Sequence, residues 1–144
     1  RYPDATLDLV GARPVAEVLA LNELPQVTVT GQVPSMADYL HRSTVCVIPM
    51  RTGFGIKNKT LEAMAAGIPV VGSDRGLEGL AVDGDGVPLR ALRANRVEDY
   101  VMAIDRLFQD PLLRCQLSQA ARSFVEQTYT WEQAGTQYEQ VILE

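Results

Sequence analysis

The sequence predicts an α/β domain of the doubly wound, Rossmann-like class: a parallel sheet with helices on both faces. Three observations carry that prediction. Brief apolar runs alternate with segments of helical spacing, glycines close strands and helices in turn, and the runs are short enough to be strands buried on both sides.

The elements follow in order. Residues 7–10 in TLDLVGA read as a buried strand closed by Gly11, and residues 14–21 have helical spacing. Residues 27–30 form a second strand that ends at Gly31. Ser35 is a candidate N-cap for a helix through Arg42, with Met36, Tyr39 and Leu40 on one side. Residues 45–48 make a third strand. Asn58 or Lys59 opens a helix through Ala66, with Leu61, Met64 and Ala65 expected to face the sheet. Gly67 stops that helix, and Ile68-Pro69 restarts an extended chain leading to Val70 and Val71 in strand four. After GLEGLAVDGDG, residues 87–89 are expected as a short fifth strand. Residues 98–108, 111–127 and 131–143 read as three helices.

Length and composition limit what such a domain does. With 144 residues, 47% hydrophobic and 22% charged, the chain suits one globular domain with a core of its own. A formal charge of -5 argues against a nucleic-acid partner, which needs a broad basic face. Cys46 and Cys115 lack metal-ligand spacing and read as packed, reduced thiols. No apolar stretch reaches the length of a membrane span and no signal peptide opens the chain, so a cytoplasmic setting is expected. The chain starts at Arg1 and enters an apolar segment almost at once, as expected of a piece of something longer.

Chemistry concentrates in RTGFGIKNKTLEAMAAGIPVV. The two lysines, Lys57 and Lys59, both lie there, and no Asp or Glu occurs from His41 to Leu61. His41, Arg42, Arg51, Lys57 and Lys59 thus make a positive island in an acidic chain. A glycine loop (Gly53, Phe54, Gly55, Ile56), an expected helix N-terminus and two unmatched ammonium groups suit a phosphate or diphosphate. The loop follows strand three and precedes a helix, where doubly wound sheets bind ligands. A G-x-G by itself is more often a tight turn, and the lysines shift that balance. Glu62 either favours the helix dipole, pairs with Lys59, or accepts hydrogen bonds from a vicinal diol such as ribose.

Rival motifs are weaker. G-F-G-I-K-N-K-T misses the phosphate-loop pattern at Asn58, where a second glycine is required. Asp83-Gly84-Asp85 has D-x-D form but sits in a glycine turn, which favours a loop over a metal site. His41 reads as a surface or helix-end histidine rather than a base.

The string GFGIKNKTLEAMAAGIPVVGSDRGLEGL resembles the donor-binding core of family 4 glycosyltransferases of GT-B architecture. It is similar to the branch with G-x-G-x-[KR]-x-K-x-LEAMA-x-G-x-PVV followed by a GxEGL loop. VTVTGQVP, TVCVIPM and YTWEQAGTQYEQVI resemble the flanking strands and closing helix, so the likeness runs from Thr6 to the end.

The resemblance implies that residues 1–144 are the C-terminal, nucleotide-sugar-binding domain of a retaining, metal-independent transferase. An N-terminal acceptor domain, and the first strand and helix of the donor half, would then be missing and the fragment inactive alone. It implies a UDP- or GDP-linked sugar as donor and no other cofactor. The acceptor would be a saccharide or lipid-linked glycan, which leaves open peripheral association of the parent with the inner membrane face. Carried over by position, Lys59 and Glu62 are the catalytic candidates. Gly53, Phe54, Gly55, Ile56, Lys57, Lys59, Thr60, Leu61 and Glu62 are the donor-binding set.

One departure stands out. The family's E-x7-E pattern needs a Glu at position 54, or at 52 in the other alignment, and this chain has Phe54 and Thr52. Two alternatives remain from the sequence: a nucleotide-sugar epimerase of the same architecture, and a module that binds nucleotide sugar without catalysis.

Overall fold

A computed structural model describes residues 1–130, 132 and 133. It divides into two compact units, Arg1–Arg42 and Ser43–Glu144. The expected helix over 131–143 lies outside the described residues except for Glu132 and Gln133, which are helical.

The first unit contains β1 (Leu7–Val10), α1 (Ala16–Ala20), a 3-10 turn (Leu21–Glu23), β2 (Val27–Gly31) and α2 (Met36–Arg42). β1 and β2 pair in parallel, with Leu7, Asp8 and Leu9 opposite Val27, Thr28 and Val29. α1 is shorter than the expected 14–21. Val15 is its extended, uncapped N-terminal flank, and the chain tightens at Leu21. Leu24 must leave helical geometry because Pro25 follows, and its ψ is 136°. α2 opens as expected: the Ser35 Oγ accepts from the Asp38 amide at 3.3 Å.

The second unit contains β3 (Cys46–Ile48), α3 (Asn58–Ala65), β4 (Val70–Gly72), β5 (Leu92–Arg93), α4 (Val97–Gln109) and α5 (Pro111–Thr128). Its three strands are parallel in the order β3-β4-β5. β4 is central, with all three residues buried, and a continuous apolar run is what a strand covered on both faces requires.

The fifth strand is Leu92–Arg93 and not 87–89. Val71 and Gly72 of β4 pair with Leu92 and Arg93. Pro88, in the middle of the expected strand, has no amide to give to a ladder.

Helices cover the sheet through stripes of small and branched residues. α5 buries Leu113, Leu117, Ala121 and Val125 at four-residue spacing. Its start is marked by Pro111 and by the Asp110 carboxylate, which accepts from the Leu113 amide at 2.9 Å. α3 packs against α5 and against β3 and β4. Its buried face is Thr60, Ala63 and Met64. That corrects the expected Leu61, Met64 and Ala65 by rotating the helix: Ala65 is exposed and Leu61 half-buried. The rotation follows from Thr60, whose hydroxyl has a buried partner and draws that edge inward. Fully burying a side chain such as Met64 contributes roughly 1.5–3 kcal/mol.

Candidate functional site

Two loops leave the carboxyl ends of neighbouring parallel strands, one running from β3 to α3 and the other following β4. Side chains lock them together. Ser73, buried just past β4, donates its hydroxyl to the Met50 carbonyl at 2.6 Å and accepts from the Gly76 amide at 3.0 Å. Thr60, in the first turn of α3, donates to the Gly76 carbonyl at 2.6 Å. Gly76 is needed for this approach, since a Cβ there would lie 2.5 Å from the Ile48 carbonyl oxygen. On the facing loop, Gly53 and Gly55 have φ of 95° and 73°, conformations that disfavour any side chain.

The two lysines have different surroundings. The Lys57 side chain is only 10% exposed, and its ammonium lies 3.5 Å from the Glu78 carboxylate. It also donates to the Gly55 carbonyl, with its stem against Gly53. The expectation of two unmatched, mobile ammonium groups is thereby corrected for Lys57. Its partner is 21 residues away, invisible to a local reading of charge. Lys59 is exposed, and its Nζ is 3.6 Å from the Met50 sulfur at the end of β3. Among the described residues no carboxylate pairs with it, and the alternative of a Lys59–Glu62 ion pair is not realised.

Lys57 is the N-terminal flank of α3, and no side chain caps the helix. The Lys57 carbonyl takes the Thr60 and Leu61 amides, so the first-turn donors left to present beside the Lys59 ammonium are the Asn58 and Lys59 amides. Glu62 is exposed one turn further on. Phe54 is 86% exposed, with the Arg75 guanidinium 5.2 Å from its ring centre. Ile56 is exposed and would touch any Cβ at Gly79. Thr60, expected among the donor-binding residues, is fully buried with its hydroxyl turned to Gly76, and Leu61 is half-buried beside it.

The remaining candidates serve the frame. Arg42 is held by Asp8 at 3.0 Å and lies over the Tyr39 ring, and His41 is an exposed residue of the last turn of α2. Asp83-Gly84-Asp85 is a turn, as expected. The Asp83 carboxylate accepts two bonds from Arg93, each 2.8 Å, and Arg93 also reaches Asp74 at 2.7 Å. Hydrogen bonding from Arg93 holds both carboxyls below the usual aspartate range. Burial pushes the Cys46 thiol up, consistent with a packed, unreactive sulfur, whereas Cys115, expected to be packed too, is on the exposed side of α5. Among the described residues no helix is long and apolar enough to cross a membrane.

Sequence reasoning missed Ser73, Arg75, Gly76 and Glu78 as parts of the site. The GxEGL string carries two of them, Gly76 and Glu78, and only the packing of its loop against Gly53–Lys57 gives them a role.

Comparison with known proteins shows the family and the fold. Residues 1–110 match the family described as "Glycosyl transferases group 1". A Bacillus subtilis (strain 168) protein named "Putative glycosyltransferase YtcC" is 34% identical over 85 residues, 56% of this chain and 21% of that protein. The sucrose-phosphate synthase of Thermosynechococcus elongatus superposes with a TM-score of 0.76 at 29% identity, covering 98% of this chain and 39% of that one. Anabaena Alr3699/HepE, solved in complex with UDP, superposes with a TM-score of 0.80 at 16% identity, covering 97% and 41%. The chain thus spans about a fifth of the curated relative and about two fifths of these structures. The family match over most of the sequence, with parallel strands and a glycine loop at their carboxyl ends, places the chain in the glycosyl transferases group 1 family, with the α/β fold of GT-B glycosyltransferases.

Proposed function

We propose that this chain is the donor-binding domain of a glycosyltransferase that takes a sugar from a nucleoside-diphosphate sugar. Lys59 and the uncapped start of α3 receive the diphosphate, and Glu62 accepts hydrogen bonds from the ribose hydroxyls. The Gly53–Ile56 backbone lies along the sugar and phosphate. Lys57, paired with Glu78 and bonded to the Gly55 carbonyl, shapes the loop.

The observation that carries this reading is the exposed Lys59 ammonium, which meets no carboxylate among the described residues, beside the uncapped start of α3 at the carboxyl ends of parallel strands. As the glycosidic bond breaks, negative charge grows on the bridging oxygen of the leaving nucleoside diphosphate. Fixed donors and a cation that bind this charge more strongly than the intact donor lower the barrier. These groups can do so without a metal, and the family resemblance favours transfer with retention. The UDP in the Anabaena structure supports a nucleotide ligand for this fold.

By the family resemblance, acceptor choice, saccharide or lipid-linked glycan, resides in an acceptor domain of the parent polypeptide.

The test is a thermal-shift panel of UDP, GDP, ADP and their sugar conjugates on the polypeptide that contains this chain. One nucleotide series should stabilise it. Lys59→Ala should abolish the shift, an affinity loss of roughly tenfold to a hundredfold for a charge-assisted contact, while Glu62→Gln should only reduce it. Acceptor-dependent release of the nucleoside diphosphate marks a transferase. Binding without release under any acceptor marks a non-catalytic module, and no shift with any nucleotide ends the proposal.

A further inference from the structure

We infer that Glu78, in the loop after β4, is the carboxylate that binds the hydroxyls of the transferred sugar. The inference rests on the donor-binding reading above and adds a residue to it.

A sugar presents hydroxyl groups that need acceptors as well as donors. The glycine loop and the start of α3 offer the opposite: backbone amides, Lys57 and Lys59, with no acid between His41 and Leu61. A carboxylate for this loop must therefore come from another part of the chain, and Glu78 does, through its ion pair with Lys57. One of its oxygens is 3.5 Å from the Lys57 ammonium, which itself donates to the Gly55 carbonyl. The other accepts from Arg75 at 2.8 Å, and Arg75 lies over the Phe54 ring.

These contacts fix the carboxylate on the loop's side of the site without exhausting it. A carboxylate has about four acceptor directions, and the two cations take two. The Glu78 side chain is 32% exposed, so the remaining directions are open to a ligand. Its position is set by neighbours as well as by charge. Gly79, the next residue, packs against Ile56, and Gly76, two residues before, is bonded to Thr60. Glu62 cannot take this role in addition to the ribose, since it stands a turn inside α3 beyond Lys59.

The competing role is purely structural: Glu78 as a brace for Lys57. Titration calorimetry on the complete polypeptide separates the two, with UDP, GDP, UDP-glucose and GDP-mannose as probes. In Glu78→Gln, affinity for the nucleoside diphosphate should stay within about twofold of the unsubstituted protein. Affinity for its sugar conjugate should fall about tenfold to a hundredfold, as for a lost hydrogen bond to a charged group. Equal losses for both ligands, or no loss for either, overturn the assignment. Should Glu78→Gln fail to fold, Glu78→Asp keeps the charge beside Lys57 and withdraws it by one methylene. The same selective loss supports the proposal, and unchanged sugar-conjugate binding overturns it. If the unsubstituted polypeptide binds none of the four probes, the donor-binding reading itself falls, an outcome distinct from a Glu78 variant that binds both ligand types equally well.

Discussion

Residues 1–42 and the unit that follows them use the same alternation of strand and helix, yet they bury side chains very differently. In the first unit Leu40 is the one buried apolar residue, while Leu7, Leu19 and Leu24 are 47%, 51% and 53% exposed. In the second, Val70, Val71, Met64 and Leu107 are fully buried, and α3 and α5 close over the sheet. Pairing two parallel strands aligns backbones. A core forms only where helices bring side chains onto both faces of a strand, as around β4. The candidate site stands on the second kind of structure, and its loops are tied together by buried hydroxyls on Ser73 and Thr60.

The contrast predicts unequal responses to matched substitutions. Met64→Ala opens a hole under α3 and should cost about 2–5 kcal/mol in chemical denaturation, whereas Leu19→Ala in α1 should cost less than about 1 kcal/mol. Comparable losses would mean that the two units share one level of packing after all.

Glycines sharpen the comparison. Gly76→Ala drives a methyl into the Ile48 carbonyl, for which about 1–3 kcal/mol of destabilisation is expected, together with weakened nucleotide binding as the two loops part. Gly11→Ala meets nothing within 4 Å and should stay within about 0.5 kcal/mol. A silent Gly76→Ala would show that the loops do not need their close approach.

The smallest effect concerns acid. Asp74 and Asp83 have lowered pKa values in the folded state because Arg93 bonds to them. Their contribution is present above the ordinary aspartate range near 4 and disappears as pH falls through the lowered folded values. Thermal midpoints should therefore decline below about pH 4, and Arg93→Ala should flatten that decline. Both carboxyls are partly exposed, so screening keeps the effect modest. An unchanged acid profile in Arg93→Ala would remove the clamp from the account of stability.

Much of this was legible locally. The strand at Leu7–Val10, the Ser35 cap, the helix start at Asn58, its stop at Gly67 and the Pro111 helix are each written in a few neighbouring residues, and each is found. The glycine loop and Lys59 were also readable, because charge and backbone permission are properties of short segments. What failed depended on distant partners. The fifth strand moved to Leu92–Arg93 because β4 selects its neighbour by packing and register. α3 rotated because Thr60 found the Gly76 carbonyl, and Lys57 was claimed by Glu78.

The sequence by itself determined that strands and helices alternate, that a cationic glycine loop precedes a short alanine-rich helix, and which family the motif resembles, since those signals arise from residues close in the chain. Only the tertiary structure decided which lysine stays exposed and which is held by a distant carboxylate, and it brought Glu78 to Lys57. Ion pairs and buried hydroxyl bonds form between atoms that are near in space, and chain separation gives no measure of that distance.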